Sequence, residues 1–318
     1  MSCRASTMLP VLAIAVLPAI ATAQTYPSKP IRVVTSETGG GTDYVARVMA
    51  QELSASLGQP VIVENRGAGV YSGEIVSKAT PDGYTLLVTG TSFWVGPLFR
   101  RTPYDPIRDF SPVSLLVNSP NVLVVNPAVP VKSVRELIDL AKAKPGELNY
   151  ATASTGSSSH LATELFKSMA GINVVRIPYK GTGPGIIDLI GGRVHFSFGT
   201  SSGVEQHIRS GRLRALAVTS AGPSAIFPGL PPVAATIPGY ESGGGTAMLA
   251  PPRTPAMVVQ RLNREVVAAL AKPQVRELLL RRGAEVVASS PAQLTAMIKA
   301  EIGRIDKLIK DASLPTER

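Results

Sequence analysis

The 318-residue chain holds one cysteine, Cys3, and three histidines, His160, His195 and His207, spread so that no H-E-x-x-H or H-x-x-x-H pair forms. A lone thiol excludes a disulfide framework, and isolated histidines without cysteine partners exclude the usual zinc spacings. Aromatic residues make up only 5% of the chain, with a single tryptophan, Trp94. Lys and Arg outnumber Asp and Glu 32 to 22, a formal charge of +10, but the basic residues are scattered and not interleaved with aromatics. That balance points to anionic solutes or acidic surfaces and away from nucleic acid. The glycines never take the G-x-G-x-x-G spacing, and no Gly-Lys-Ser or Gly-Lys-Thr closes a phosphate loop, so ATP hydrolysis has no motif to rest on.

Long apolar runs are also absent, apart from residues 8–21, which follow Arg4 and precede Ala21-Thr22-Ala23 and Gln24. That run is short for a membrane span and ends in a small-residue cleavage site, so residues 1–23 read as a secretory signal peptide that removes Cys3. The mature chain is then expected from Gln24, outside the cytoplasm, without a thiol.

Abundant instead are places where a β-rich run breaks into Gly, Ser and Thr and then opens a helix. The longest is Asn149-Tyr150-Ala151-Thr152-Ala153-Ser154-Thr155-Gly156-Ser157-Ser158-Ser159-His160. Others are Glu37-Thr38-Gly39-Gly40-Gly41-Thr42-Asp43, Thr89-Gly90-Thr91-Ser92, Tyr179-Lys180-Gly181-Thr182 and Gly199-Thr200-Ser201-Ser202-Gly203. Such junctions aim unpaired amide donors and hydroxyls at one point in front of a positive helix end, an arrangement that holds anions. In an α/β fold they gather at the carboxyl edge of the sheet. Strands at 31–34, 61–65, 84–89, 148–152, 174–178, 194–198 and 215–219 alternate with helical patterns, which predicts parallel sheets with helices on their faces. Ser133 with Glu136 forms a capping box, and Thr254-Pro255 and Ser290-Pro291 set an N-cap before a proline at the first helical position.

Two apolar stretches, 121–126 and 245–250, do not lead into helices and read as strands that carry the chain into a second lobe and back. One lobe is therefore expected from 24–120 plus 245–318 and the other from 121–244, with a cleft between them. A single large mixed sheet is the competing arrangement. Gly199-Thr200-Ser201-Ser202-Gly203 matches the G-x-S-x-G nucleophile elbow, but an elbow needs an acid and a histidine later on separate loops. Only His207 follows, on the helix that the motif itself opens. A hydrolase using Ser201 is thus the weakest of the functional readings.

Several stretches, in order and spacing, resemble the substrate-binding receptors of tripartite tricarboxylate transporters, the Bug family. They are Tyr26-Pro27-Ser28-Lys29-Pro30, Gly40-Gly41-Thr42-Asp43, Leu57-Gly58-Gln59-Pro60, Pro81-Asp82-Gly83-Tyr84, Ser157-Ser158-Ser159-His160, Ile177-Pro178-Tyr179-Lys180-Gly181 and Leu249-Ala250-Pro251. The resemblance implies an α/β, two-lobed periplasmic-binding-protein fold of type II-like form, each lobe a sheet flanked by helices and the two joined by two extended crossing strands. It implies a monomer without cofactor that closes over a small carboxylate and passes it to membrane permease subunits. A periplasmic sensor reporting to a sensor kinase is the other reading. Carried onto this chain, the ligand contacts are Thr42 and Asp43, Thr91 and Ser92, Ser154, Ser157 and Ser158, and Thr182. The chain departs from the family at Thr35-Ser36-Glu37-Thr38, where an aromatic and prolines are usual, at Tyr71, and at Gly199, where many members carry Asp. Glu37 would repel a plain carboxylate. Trp94 reads equally as a cleft wall or a core indole.

Overall fold

The computed structural model describes residues 26–36, 38, 41–66, 69–153, 156–179, 181–311, 314 and 316. The expected leader with Cys3, and Glu37, Ser154 and Lys180, lie outside the described residues. Two mixed sheets divide the strands, giving an α/β, two-lobed fold.

In the first sheet β1 (Ile31–Thr35) runs parallel between β2 (Val61–Asn65) and β3 (Thr85–Gly90). Connecting them are α1 (Gly41–Leu57) and α2 (Gly69–Ser77). Helix α1 buries Val45, Met49, Leu53 and Leu57, the face that the helical spacing of these residues defines. Gly58 ends it at φ +66°, a left-handed conformation that glycine adopts without steric cost. β3 passes directly into the short α3 (Thr91–Val95). The same sheet also takes in β4 (Ser111–Ser119), a strand not expected from its own residues.

The second sheet is built around β5 (Asn121–Val125), buried along its whole length and antiparallel to both neighbours. Those neighbours are β8 (Phe196–Thr200) and β9 (Arg214–Val218), and the outer strands β6 (Asn149–Thr152) and β7 (Val175–Pro178) run parallel to β8. Its helices are α4 (Val134–Ala143), α5 (Ser158–Ala170), α6 (Thr182–Ile190) and α7 (Ser201–Arg209). Alternation along β5 places Leu123 and Val125 in the core beneath α5 and Val122 and Val124 in the core beneath α6 and α7.

The chain then returns through β10 (Gly244–Ala250), which inserts antiparallel between β3 and β4, and ends with α8 (Ala256–Ala271), α9 (Pro273–Leu280), β11 (Glu285–Val286) and α10 (Pro291–Asp311). The stretches read as crossing strands are strands, but each lies wholly inside its own sheet. The crossings themselves shrink to Pro120 and to the turn before Gly244, which pairs with Ser119. Strands apolar on both faces are covered on both sides and cannot bridge an open gap.

The expected caps are realised at α4 and α10. Ser133 Oγ accepts from the Glu136 amide, and Ser290 and Gln293 exchange side-chain and backbone bonds in a capping box. At α8 the expectation fails. The helix begins at Ala256 with Pro255 in the cap position, and the Thr254 hydroxyl donates to the Pro251 carbonyl.

Additional ties join the lobes. Helix α10 packs on β4, α3 and α5, so Leu294, Ile298, Ile305 and Leu308 share one core with residues of both sheets. Trp94 is fully buried and its Nε1 donates to Glu301 Oε2 at 2.8 Å, which makes it a core indole that fastens α3 to α10. At the sheet edge Glu285 accepts from Ser224 Oγ at 2.6 Å and from the Ala225 amide at 2.9 Å.

Position 199 shows why an acid is absent there. A Cβ on Gly199 would lie 2.3 Å from Val204 Cγ1, against the apolar core of α6 and α7. Gly199→Ala should therefore destabilise the protein by about 1–3 kcal/mol through overpacking. In a denaturation double-mutant cycle, part of that loss should return when Val204→Ala is added, and strictly additive effects would show that the crowding is relieved by another route.

Candidate functional site

The strand registers locate the site. Thr200, the last residue of β8, pairs with Asn121, the first residue of β5. Gly90, the last residue of β3, pairs with Thr246 near the start of β10, which itself begins opposite Ser119. Residues 119 and 121 flank Pro120, so both sheets turn the carboxyl ends of their parallel strands toward the lobe boundary. The helix starts at Gly41, Thr91, Ser158, Thr182 and Ser201 follow those strand ends, which puts their positive ends at the boundary.

The start of α5 is the most elaborated. Ser157 takes the N-cap conformation and its Oγ accepts from the His160 amide at 3.3 Å. His160 Nδ1 accepts from the Gly156 amide at 3.2 Å, which fixes the neutral ring with its proton on Nε2. Ser159 Oγ accepts from the Ala153 amide at 3.1 Å. Burial, with the Arg176 guanidinium adding repulsion, pushes the His160 pKa down to about 4. Arg176 Nε donates to Thr152 Oγ1 at 3.0 Å, bringing a cation to the carboxyl end of β6. Behind the helix, the buried Glu164 accepts from Tyr150 and Lys167, so its charge is compensated inside the lobe.

The expected contacts separate into two groups. Asp43 is buried and accepts from Asn65 Nδ2 at 2.8 Å and from Arg47 Nε at 3.1 Å, while the same Asn65 amide reaches the Ser36 carbonyl. Thr91 Oγ1 accepts from the Gly245 amide at 2.8 Å. With Ser157 as a cap, these three bond to protein groups that shape the loops. Ser92 is exposed on α3, Thr42 and Thr182 are half-buried in the first turns of α1 and α6, and Ser158 Oγ lies 3.4 Å from Asn121 Oδ1. Tyr71 is 64% exposed in the first turn of α2, at the same edge of the first sheet.

Two participants were not read from the sequence. Asn121 is buried at the lobe crossing and its Nδ2 has no acceptor among the described residues. The signal was a polar residue opening an otherwise apolar strand. Arg176 was hidden as one basic residue in the short apolar run of β7. Ser201, the elbow residue, is 1% exposed and its hydroxyl donates to the Pro120 carbonyl at 2.6 Å, which gives it a place at the crossing. His207 lies on the same helix, α7. A separate groove of about 370 Å³, lined in part by Lys144, Glu147 and His195, sits at the amino ends of β6 and β8, away from the helix starts. Among the described residues no His, Cys, Asp and Glu group could hold a metal, and no helix is long and apolar enough to cross a membrane.

Residues 45–314 match the sequence profile described as tripartite tricarboxylate transporter family receptor. The protein BugT of Bordetella pertussis is 39% identical over 307 residues, covering 94% of each chain. Among solved structures, an R. palustris protein with adipate is similar at 35% identity and a TM-score of 0.78, over 92% of this chain and 99% of that one. MatC from Rhodopseudomonas palustris with bound malate is similar at 30% identity and a TM-score of 0.73, over 89% and 100% of the chains.

The buried neutral His160 makes stability depend on acidity. An unfolded histidine takes up its proton as pH falls through about 6.5, whereas the folded ring resists until about 4. Stability should therefore fall across that window, by on the order of 3 kcal/mol from this group, and level off below it. Urea unfolding of wild type and His160→Gln at several pH values checks this; an unchanged pH slope in the variant would remove His160 as the cause.

Proposed function

The chain belongs to the tripartite tricarboxylate transporter receptor family, and from that premise we propose that it is a periplasmic solute-binding receptor for a small organic acid. The acid binds between the lobes 24–120 with 245–318 and 121–244, the lobes close over it, and the loaded receptor delivers it to membrane permease subunits. The observation that carries this reading is the α5 start, capped by Ser157 and braced by the neutral His160, with Ser158 in its first turn and the Arg176 guanidinium nearby at the end of β6. The relatives with adipate and malate support the carboxylate class.

The division of hydroxyls refines the site. We assign contact with the ligand to Ser158, Ser92, Thr42 and Thr182 together with the first amides of α5, and loop-shaping roles to Asp43, Thr91 and Ser157. A hydrogen bond to a charged group is worth about 1.5–3 kcal/mol, so a carboxylate held by several of them needs no full ion pair. Closure follows from the ligand touching both lobes, since only differential affinity for the closed state can shift the equilibrium.

A thermal-shift screen of the mature protein against malate, adipate, citrate, aromatic acids and amino acids tests the reading. An acid present at a hundred times its Kd should stabilise by about 2.7 kcal/mol. Ser158→Ala should then weaken binding of that acid about tenfold, while Ser157→Ala should chiefly cost about 1 kcal/mol of stability as a lost cap. If none of the acids raises the melting temperature, the carboxylate reading is wrong.

A further inference from the structure

Asn121 occupies an unusual place. It is the first residue of β5, directly after Pro120, and only 1% exposed. Its backbone is held by Thr219, the amide donating to Thr219 Oγ1 at 2.8 Å and the carbonyl accepting from the Thr219 amide at 2.9 Å and its hydroxyl at 3.1 Å. Alternation along β5 puts its side chain on the α5 side of the sheet, in line with Leu123 and Val125. There Oδ1 lies 3.4 Å from the hydroxyl of Ser158, the first residue of α5. The other half of the carboxamide, Nδ2, is buried and has no acceptor among the described residues.

A buried amide donor without a partner carries the full desolvation cost of that group, and native proteins rarely retain one without a ligand or an ordered water to receive it. Packing alone would be served better by leucine, which fits the apolar run that Asn121 opens. The neighbouring groups still lacking partners are donors too, because the first amides of a helix have no acceptor within it. What is missing from this corner is an acceptor with more than one oxygen.

We propose that Asn121 is a specificity-determining residue, its Nδ2 donating to an oxygen of the carboxylate that sits at the start of α5. The inference rests on the receptor function proposed above and adds to it a donor from the lobe crossing itself. Because Thr219 fixes the backbone of Asn121, the donor is placed before the acid arrives. A neutral amide at this point selects a carboxylate oxygen and disfavours a ligand that presents only donors, such as an amine.

Isothermal titration of the mature protein with malate, adipate and citrate, on wild type, Asn121→Ala, Asn121→Asp and Ser158→Ala, tests this. Asn121→Ala should weaken the acid that wild type binds by roughly ten- to a hundredfold. Asn121→Asp should weaken it more, since one carboxylate would face another, and its loss should grow as pH rises through the titration of the new acid. In wild type, the Asn121 side-chain amide resonance should move when the acid is added, a readout that does not require either variant to fold. Wild-type affinity in both Asn121 variants, or an unmoved amide resonance, would mean that Nδ2 serves only a structural water. A weakened Ser158→Ala alongside would leave the receptor reading intact. Failure of wild type to bind any acid of the thermal-shift screen would overturn the reading and this inference together.

Discussion

The pairing of antiparallel strands at the lobe crossing is the constraint on which the architecture depends. β4 ends at Ser119 opposite the start of β10, and β5 begins at Asn121 opposite the end of β8. Each sheet thereby has an antiparallel strand, β10 or β5, that starts at the boundary, and the parallel strands beside it must present their carboxyl ends there. Helix starts follow strand ends, so the positive ends of α1, α3, α5, α6 and α7 are turned toward the space between the lobes by hydrogen-bond register alone. Reversing either register would send the same loops to the outer poles, where the groove near Lys144 and His195 now lies.

Within that frame the α5 junction shows how a chain can brace a helix start and still offer amides. The side chains of Ser157, Ser159 and His160 each take one backbone amide of residues 153–160. The ring at His160 must be neutral to accept from Gly156, and burial with the nearby Arg176 keeps it so. The cation thus has two effects: it holds Thr152 at the end of β6 and it raises the energy of a charged imidazole. A protonated ring would lose the acceptor that fixes Gly156 and so loosen the loop at the helix start.

Much of this was legible in the sequence, because strand periodicity and Gly/Ser/Thr breaks report local structure. The helices capped by Ser133 and Ser290 begin where the capping box and the N-cap before Pro291 place them, and the junction at 149–160 reads as a strand passing into a helix start. β4 was harder. Its residues run Ser111-Pro112-Val113-Ser114-Leu115, and the partners that make it a strand, β10 and β11, lie far along the chain. Long-range pairing has no local signature there. Asn121 and Arg176 were missed for a related reason: each is a single polar residue whose importance comes from what tertiary packing leaves around it.

The partition of the polar side chains suggests how charge selection is achieved. Acidic Asp43 is buried and bonded to Arg47 and Asn65, so its charge is compensated within the first lobe. Arg176 is anchored to β6 through Thr152, where it biases the local potential from the edge of the site. Among the described residues, the hydroxyls and helix amides assigned to the ligand and the Asn121 carboxamide are neutral. A neutral donor set loses less on desolvation than a buried lysine or arginine would, and it does not leave an uncompensated charge behind when the ligand departs. Affinity for an anion can then come from many directed donors and a background field, and opening the lobes breaks those donors away from the acid a few at a time.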